Sequence, residues 1–209
     1  MRRRQWTFAP AASILFPMNY EELLTKTRSY RRFYEDKPVT HEQLAALVRY
    51  ASLTPSGGNK MPLKYLASTN RDTNDIIFAH VSWAAYLSDW NGPENGERPT
   101  GYLVMVRDTS IAQNTATDEG IQAMAIMAGA TTLGLGGCIM GNVQRAALAM
   151  ALALDARYEI ALVLALGYPK ETVIIEPMQA DGSVHYWHDA DGAHHVPKRS
   201  ATELLLQTL

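Results

Sequence analysis

With 209 residues, 47% of them hydrophobic, the chain is long enough to bury one core of ordinary domain size, and no linker divides it. A net charge of −2 excludes the basic face that general nucleic-acid affinity needs, and no apolar run is long enough to span a bilayer. The single cysteine, Cys138, excludes an intramolecular disulfide, so a reducing, cytoplasmic setting is expected.

Residues 1–17, MRRRQWTFAPAASILFP, begin basic and continue with a short, proline-broken apolar part. They read as a tail of unknown role, with Met18 as a second start. The alternatives are a secretory or twin-arginine export signal, which would want a longer uninterrupted apolar stretch and a clear cleavage site, and an arm packed on a partner subunit. Residues 18–209 are expected to form one domain. Asn19 is placed to cap a short helix, NYEELLTK, with acids early and Lys26 late. A polar, cationic stretch follows, RSYRRFYEDKPV. Thr40 and Gln43 then form a capping box for THEQLAALVRYASL, whose Leu44, Leu47, Val48 and Ala51 recur on one helical face.

TPSGGNKMP cannot pack a core; it is a turn or a surface laid against a ligand. LKYLAST reads as a strand and RDTNDIIFAH as a helix. NGPENGERPTG is a loop and YLVMVRD a strand. TDEGIQAMAIMAGATTLG is a long helix, apolar nearly all round and so in need of cover on most sides, with Gly134 as its C′ residue. GLGGCIMG is a short extended piece and VQRAALAMALAL a helix. YEIALVLALGYP is a continuous apolar run that reads as a central strand. SVHYWHDADGAHH alternates around an Asp-Ala-Asp-Gly turn, and VPKRSATELLLQTL ends in a helix boxed by Ser200 and Glu203. Helices outnumber strands and βαβ does not repeat, which predicts an α+β fold, one sheet flanked by helices.

The glycines of GLGGCIMG fail as a dinucleotide fingerprint: Ile139 stands where the third glycine belongs, and the run follows a helix instead of opening one. A phosphate loop fails too, since Gly141 is followed by Asn142. His185, His188, His194 and His195 raise a metal site, but an alternating hairpin with exposed histidines explains the spacing as well, and no metal is expected. Cys138 has no base beside it and reads as a small buried residue. Two cationic clusters remain, Arg28, Ser29, Arg31 and Arg32 in one, and Lys198, Arg199 and Ser200 in the other. Each pairs fork-shaped or ammonium cations with a hydroxyl at a loop–helix boundary, in a chain that is acidic overall. That combination suits a phosphate better than a solvated charged face does.

Taken together, RSYRRF, TPSGGNKMPLKY, DEGIQAMAIMAGATTLGLGGCIMG and HVPKRS resemble, in order and spacing, the nitroreductase family of FMN-dependent flavoproteins, from about Met18 to the end. The resemblance implies a central, mostly antiparallel sheet flanked by helices, and an intertwined homodimer with two FMN sites at its interface. It implies that Arg28, Ser29 and Arg31, with Arg32 beside them, hold the FMN phosphate and ribityl chain, and that Lys198 and Arg199 close on the same phosphate. Pro55, Ser56 and Asn59, with Gly57 between them, would reach the partner's flavin, and Gly136 and Gly137 would lie along the ring edge. Arg28 or Lys60 would face the pyrimidine edge of the ring.

The implied activity is electron transfer from NAD(P)H through FMN to a small electron-poor acceptor such as a nitroaromatic, quinone or enone, by a ping-pong mechanism, with no obligatory protein acid or base. A flavin reductase or dehalogenase on the same fold, or a flavin-binding protein without turnover, are the alternatives. Many relatives carry Gln and Trp where this chain has Met61 and Leu63, which leaves the acceptor-side contacts open. Trp83, Tyr86 and Trp90 recur at helical spacing; they are a packed helix face, Trp83 above all, or an aromatic lid over the flavin.

Overall fold

The structure is a computed structural model that describes residues 18–84, 86–87 and 90–209. The tail expected over residues 1–17 lies outside the described residues.

The first helix, α1 (Tyr20–Lys26), is capped as its sequence requires: Asn19 Oδ1 accepts from Glu22 N at 2.9 Å. Helix α2 (His41–Ser52) carries the full capping box of Thr40 and Gln43, and buries Leu44, Leu47 and Ala51. Beyond a 3₁₀ turn (Gly57–Asn59) come β1 (Leu63–Ser68), α3 (Arg71–Ala79) and β2 (Gly101–Asp108). The long helix α4 (Ala116–Thr132) ends, as expected, at Gly134, whose φ of +72° a side chain would resist. Strand β3 (Gly136–Met140), helix α5 (Arg145–Ala151) and strand β4 (Tyr158–Gly167) complete a four-stranded sheet of order β1-β2-β4-β3, every neighbouring pair antiparallel.

Period-two alternation divides the core into two layers. Leu103 and Met105 of β2, with Leu164 and Leu166 of β4, face α2 and α4. Tyr102, Val104 and Val106, with Val163 and Ala165, face the opposite side, where Ile77 of α3 and Leu148 of α5 pack. Each of the buried Val, Leu, Ile and Met side chains contributes about 1.5–3 kcal/mol by leaving water. On the first side the helices approach closely. A Cβ at Gly129 of α4 would lie 2.4 Å from the Tyr50 ring of α2.

The strands outnumber what the sequence pattern indicated, because a second small sheet lies beyond the first. Strand β5 (Val173–Pro177) runs parallel to β7 (His194–Lys198), and β6 (Trp187–His188) pairs antiparallel with β7 across the expected Asp-Ala-Asp-Gly turn. The terminal helix α6 (Ala201–Leu204) is one turn long. Ser200 Oγ accepts from Glu203 N at 3.2 Å, but the Glu203 carboxylate pairs with Arg199 instead of closing the box. Trp83, Tyr86 and Trp90 do not share a helix. Helix α3 stops at Ala79, and Trp83 is buried against Phe78 and edge-on to Trp90. No described helix is long and apolar enough to cross a membrane.

Candidate functional site

The first cationic segment leaves α1 and runs along β3. Ser29 bridges Gly137, and Tyr30 N donates to Gly137 O at 2.8 Å. Arg28 turns back on α1: Nε donates to Thr27 O at 2.6 Å and Nη2 to Leu24 O at 3.0 Å, satisfying carbonyls the helix end leaves open. Arg31 points the other way. Its Nη1 meets His194 Nε2 at 3.2 Å and its guanidinium lies 5.0 Å over the Tyr186 ring. Arg32 faces Glu97 at 3.5 Å and the Trp90 ring at 5.7 Å. Among the described residues Arg31 Nε is buried without a hydrogen-bond partner, whereas Arg32 Nε is the atom turned toward the Glu97 carboxylate.

Gly136 and Gly137 have a reason within the chain for lacking side chains. A Cβ at Gly136 would strike the Tyr30 ring at 2.4 Å and Pro169 at 2.6 Å; at Gly137 it would meet the carbonyl oxygen of Ala165 at 2.5 Å. The atoms an added side chain would meet are the protein's own. Cys138 beside them is buried, and burial pushes its thiol up, away from nucleophile chemistry.

The loop of Pro55, Ser56, Gly57 and Asn59 is pinned by Asp118, which the sequence reading took only as a helix-dipole acid. Ser56 Oγ donates to Asp118 Oδ2 at 2.5 Å, and Gly57 N donates to Asp118 Oδ1 at 2.9 Å. Ser56 Oγ also accepts from Met61 N at 3.0 Å. Gly58, Asn59 and Met61 all have left-handed φ, at 58°, 52° and 47°. With these bonds holding the turn from beneath, Pro55, Gly57, Asn59 and Lys60 are exposed to solvent. Met61, together with His41, Val48, Thr54, Leu63 and Tyr65, lines an adjoining groove of about 550 Å³.

Helix α4 separates these two segments. Asp118 sits in its first turn, whereas Thr131, bonded at 3.1 Å to Thr27 beside the cationic segment, sits in its last. At 1.5 Å per residue these positions are about 20 Å apart. The glycine loop and the arginine segment are thus anchored at opposite ends of α4.

The C-terminal hairpin corrects the reading of its histidines as exposed for three of the four; His185 is exposed as expected. His194 is 1% exposed, and His188 and His195 are partly buried. His194 Nδ1 lies 3.2 Å from His188 Nε2, which lies 3.8 Å from Glu171 Oε2, and one ligand atom from each of the three residues falls within 4.8 Å of the others. Burial, then the charge of Arg31, pulls the His194 pKa down to about 4. His195 is held between Glu176, at 2.8 Å, and Asp189, at 3.1 Å, and its pKa is raised. Lys198 and Arg199 lie at the far end of β7 from His194, both exposed. Arg31 and these two cations thus stand at opposite ends of one strand. Tyr86 stacks on His185 with ring centroids 4.4 Å apart, closing the long loop onto the hairpin.

The sequence profile of the Nitroreductase family matches residues 24–168, more than half of the chain. The chain belongs to the nitroreductase family. Solved structures agree in fold. A protein from Desulfovibrio desulfuricans, described as a nitroreductase and solved in complex with FMN, is 23% identical, with 93% of this chain and 98% of that one covered and a TM-score of 0.66. The nitroreductase family protein of Streptococcus pneumoniae is 17% identical (77% and 94% covered, TM-score 0.63), and one from Clostridium difficile is 20% identical (74% and 86% covered, TM-score 0.61). No curated protein matches the chain.

Proposed function

We propose that this family member is an FMN-dependent oxidoreductase, active as a homodimer, with each flavin held by the arginine segment of one subunit and the glycine loop of the other. The observation that carries the reading is the placement of those two segments at opposite ends of α4, about 20 Å apart, which lets one chain present each segment to a different flavin. In an isologous dimer the arginine end of one subunit can meet the glycine-loop end of the other, and the two-fold axis then makes two such sites. The adjacent Arg31 and Arg32 guanidiniums bring two positive charges, with Glu97 and His194 against them, to a segment that suits a phosphate, since a guanidinium only donates. The Desulfovibrio relative of the same fold was solved with FMN.

Bound FMN would supply the redox chemistry, taking a hydride from NAD(P)H and passing electrons to a small electron-poor acceptor such as a nitroaromatic, quinone or enone. The chain's own part is binding and orientation. Arg31 and Arg32 would neutralise the phosphate. Lys198 and Arg199, at the other end of β7 from the Arg31–His194 contact, would join them only by extending their long side chains along the strand; the Arg199–Glu203 pair is exposed, so exchanging it for a phosphate costs little. Arg28 is committed to the end of α1 and would act through its remaining nitrogen, and Ser29 would offer its hydroxyl. The loop would present Pro55, Gly57 and Asn59 to the ring, with Ser56 held beneath by Asp118.

Purified protein should be yellow and release FMN on denaturation. Anaerobic NADH or NADPH should bleach the flavin, and an oxidant panel should restore its colour. Release of FAD, or no flavin after reconstitution, removes the proposal. Bound FMN that neither nucleotide bleaches identifies a flavin store or sensor instead.

A further inference from the structure

Glu171 has no role in the reading above, yet its side chain is only 2% exposed. Its Oε1 accepts the backbone N–H of Arg31 and, at 3.3 Å, that of Arg32. Two consecutive amides converge on one carboxylate oxygen, which fixes the path of the backbone between them. We propose that Glu171 is a positioning residue: it holds the Arg31–Arg32 backbone while His194 holds the Arg31 guanidinium, and together they aim the two cations at an anionic group. This inference rests on the flavin reading, and it adds two residues that touch no ligand themselves.

The proton arrangement follows from the arginine. A guanidinium only donates, so His194 Nε2 must accept from Arg31 Nη1 at 3.2 Å. The His194 proton is then on Nδ1 and is directed at His188 Nε2, 3.2 Å away. His194 thus links Arg31 to His188 by hydrogen bonds, with Glu171 in looser contact, 3.8 Å from His188 Nε2. A cation at Glu171, His188 and His194 would displace that Nδ1 proton and stand close to the Arg31 and Arg32 charges. Burial dominates the Glu171 carboxyl and pushes its pKa up, with the Arg31 and Arg32 amides only partly offsetting it. A residue needed chiefly as an acceptor tolerates loss of its charge but not of its oxygen.

The test titrates FMN and riboflavin, which lacks the phosphate, into wild type, Glu171→Gln, Glu171→Met, Arg31→Ala and the Glu171→Met/Arg31→Ala double variant. Glu171→Gln keeps an acceptor, so the FMN-to-riboflavin affinity ratio should stay within about threefold of wild type, while Glu171→Met should lower it by about tenfold or more. Riboflavin affinity itself should barely move. The double variant should resemble Arg31→Ala, because Glu171 acts through that side chain. Should Glu171→Met fail to fold, Glu171→Asp, a methylene shorter, carries the same readout. A wild-type preference for FMN that survives Glu171→Met or Glu171→Asp overturns this inference alone; a wild type indifferent to the phosphate overturns the flavin reading and this inference with it. Equilibrium dialysis against Zn²⁺ should show no bound metal that His194→Gln removes. Stoichiometric zinc lost in that variant would replace the hydrogen-bonded link with a metal centre.

Discussion

At the scale of single residues, the cations divide into committed and available ones. Arg28 satisfies helix carbonyls, whereas Arg31 and Arg199 keep donors for a ligand. Arg31→Ala and Arg199→Ala should each weaken FMN binding by about 1.5–3 kcal/mol, roughly ten- to a hundredfold, and riboflavin binding much less. Isothermal titration of both ligands checks this; equal losses would move these residues away from the phosphate. His194 supplies a pH prediction. Its folded-state pKa of about 4 lies below the ordinary histidine value, so between about pH 6.5 and 4 the unfolded chain binds the extra proton. Its stabilising contribution is therefore complete above pH 6.5, declines as pH falls, and levels off below about 4. His188 shifts in the same direction, under burial and the charges of Arg32 and Arg31, whereas His195, paired with Asp189 and Glu176, shifts oppositely. The informative quantity is the difference in urea midpoint between wild type and His194→Gln across pH 4–7, which should narrow as pH falls.

At the scale of elements, the helices and main strands were legible because periodicity and capping agree there. The Thr40–Gln43 box, the apolar run of β4 and the Gly134 stop all appear as read. What escaped depended on partners distant in sequence. Strand β5 gains its register only from β7, and the buried His194 owes its environment to Arg31 and Glu171. The three aromatics of the long loop mimicked helical spacing while packing on neighbours instead. Asp118 is the most instructive omission. An acid in a helix's first turn suits the dipole wherever it sits, so nothing local marks it as the anchor of a loop roughly sixty positions earlier. Asp118→Ala should free that loop and cost about 1–3 kcal/mol of stability. Because the loop faces the ring in the proposed site, FMN and riboflavin affinities should fall together, unlike the arginine variants. A thermal melt with paired titrations distinguishes the two patterns.

At the scale of the whole molecule, a site shared between subunits predicts complementation. Dimers of Arg31→Ala alone, or of Asn59→Ala alone, carry the lesion in both sites. A mixed dimer of the two would gather both lesions into one site and leave the other intact. Co-expressed, differently tagged subunits purified as the mixed species should bind about one FMN per dimer with wild-type affinity. Flavin binding no better than in either parent would return both segments to one chain. The spacing set by α4 carries a further consequence. If its two ends serve different cofactors, the helix acts as a ruler, and its residue count is fixed by cofactor geometry as well as by packing. One inserted residue would advance the far end by about 1.5 Å and swing it about 100° around the axis, while a full extra turn would restore the facing and leave an error of about 5.4 Å. Insertions in the exposed 3₁₀ loop carry no such phase. Length variation in this fold should therefore gather in loops and termini, with α4 held to whole-turn changes that the opposing subunit must match.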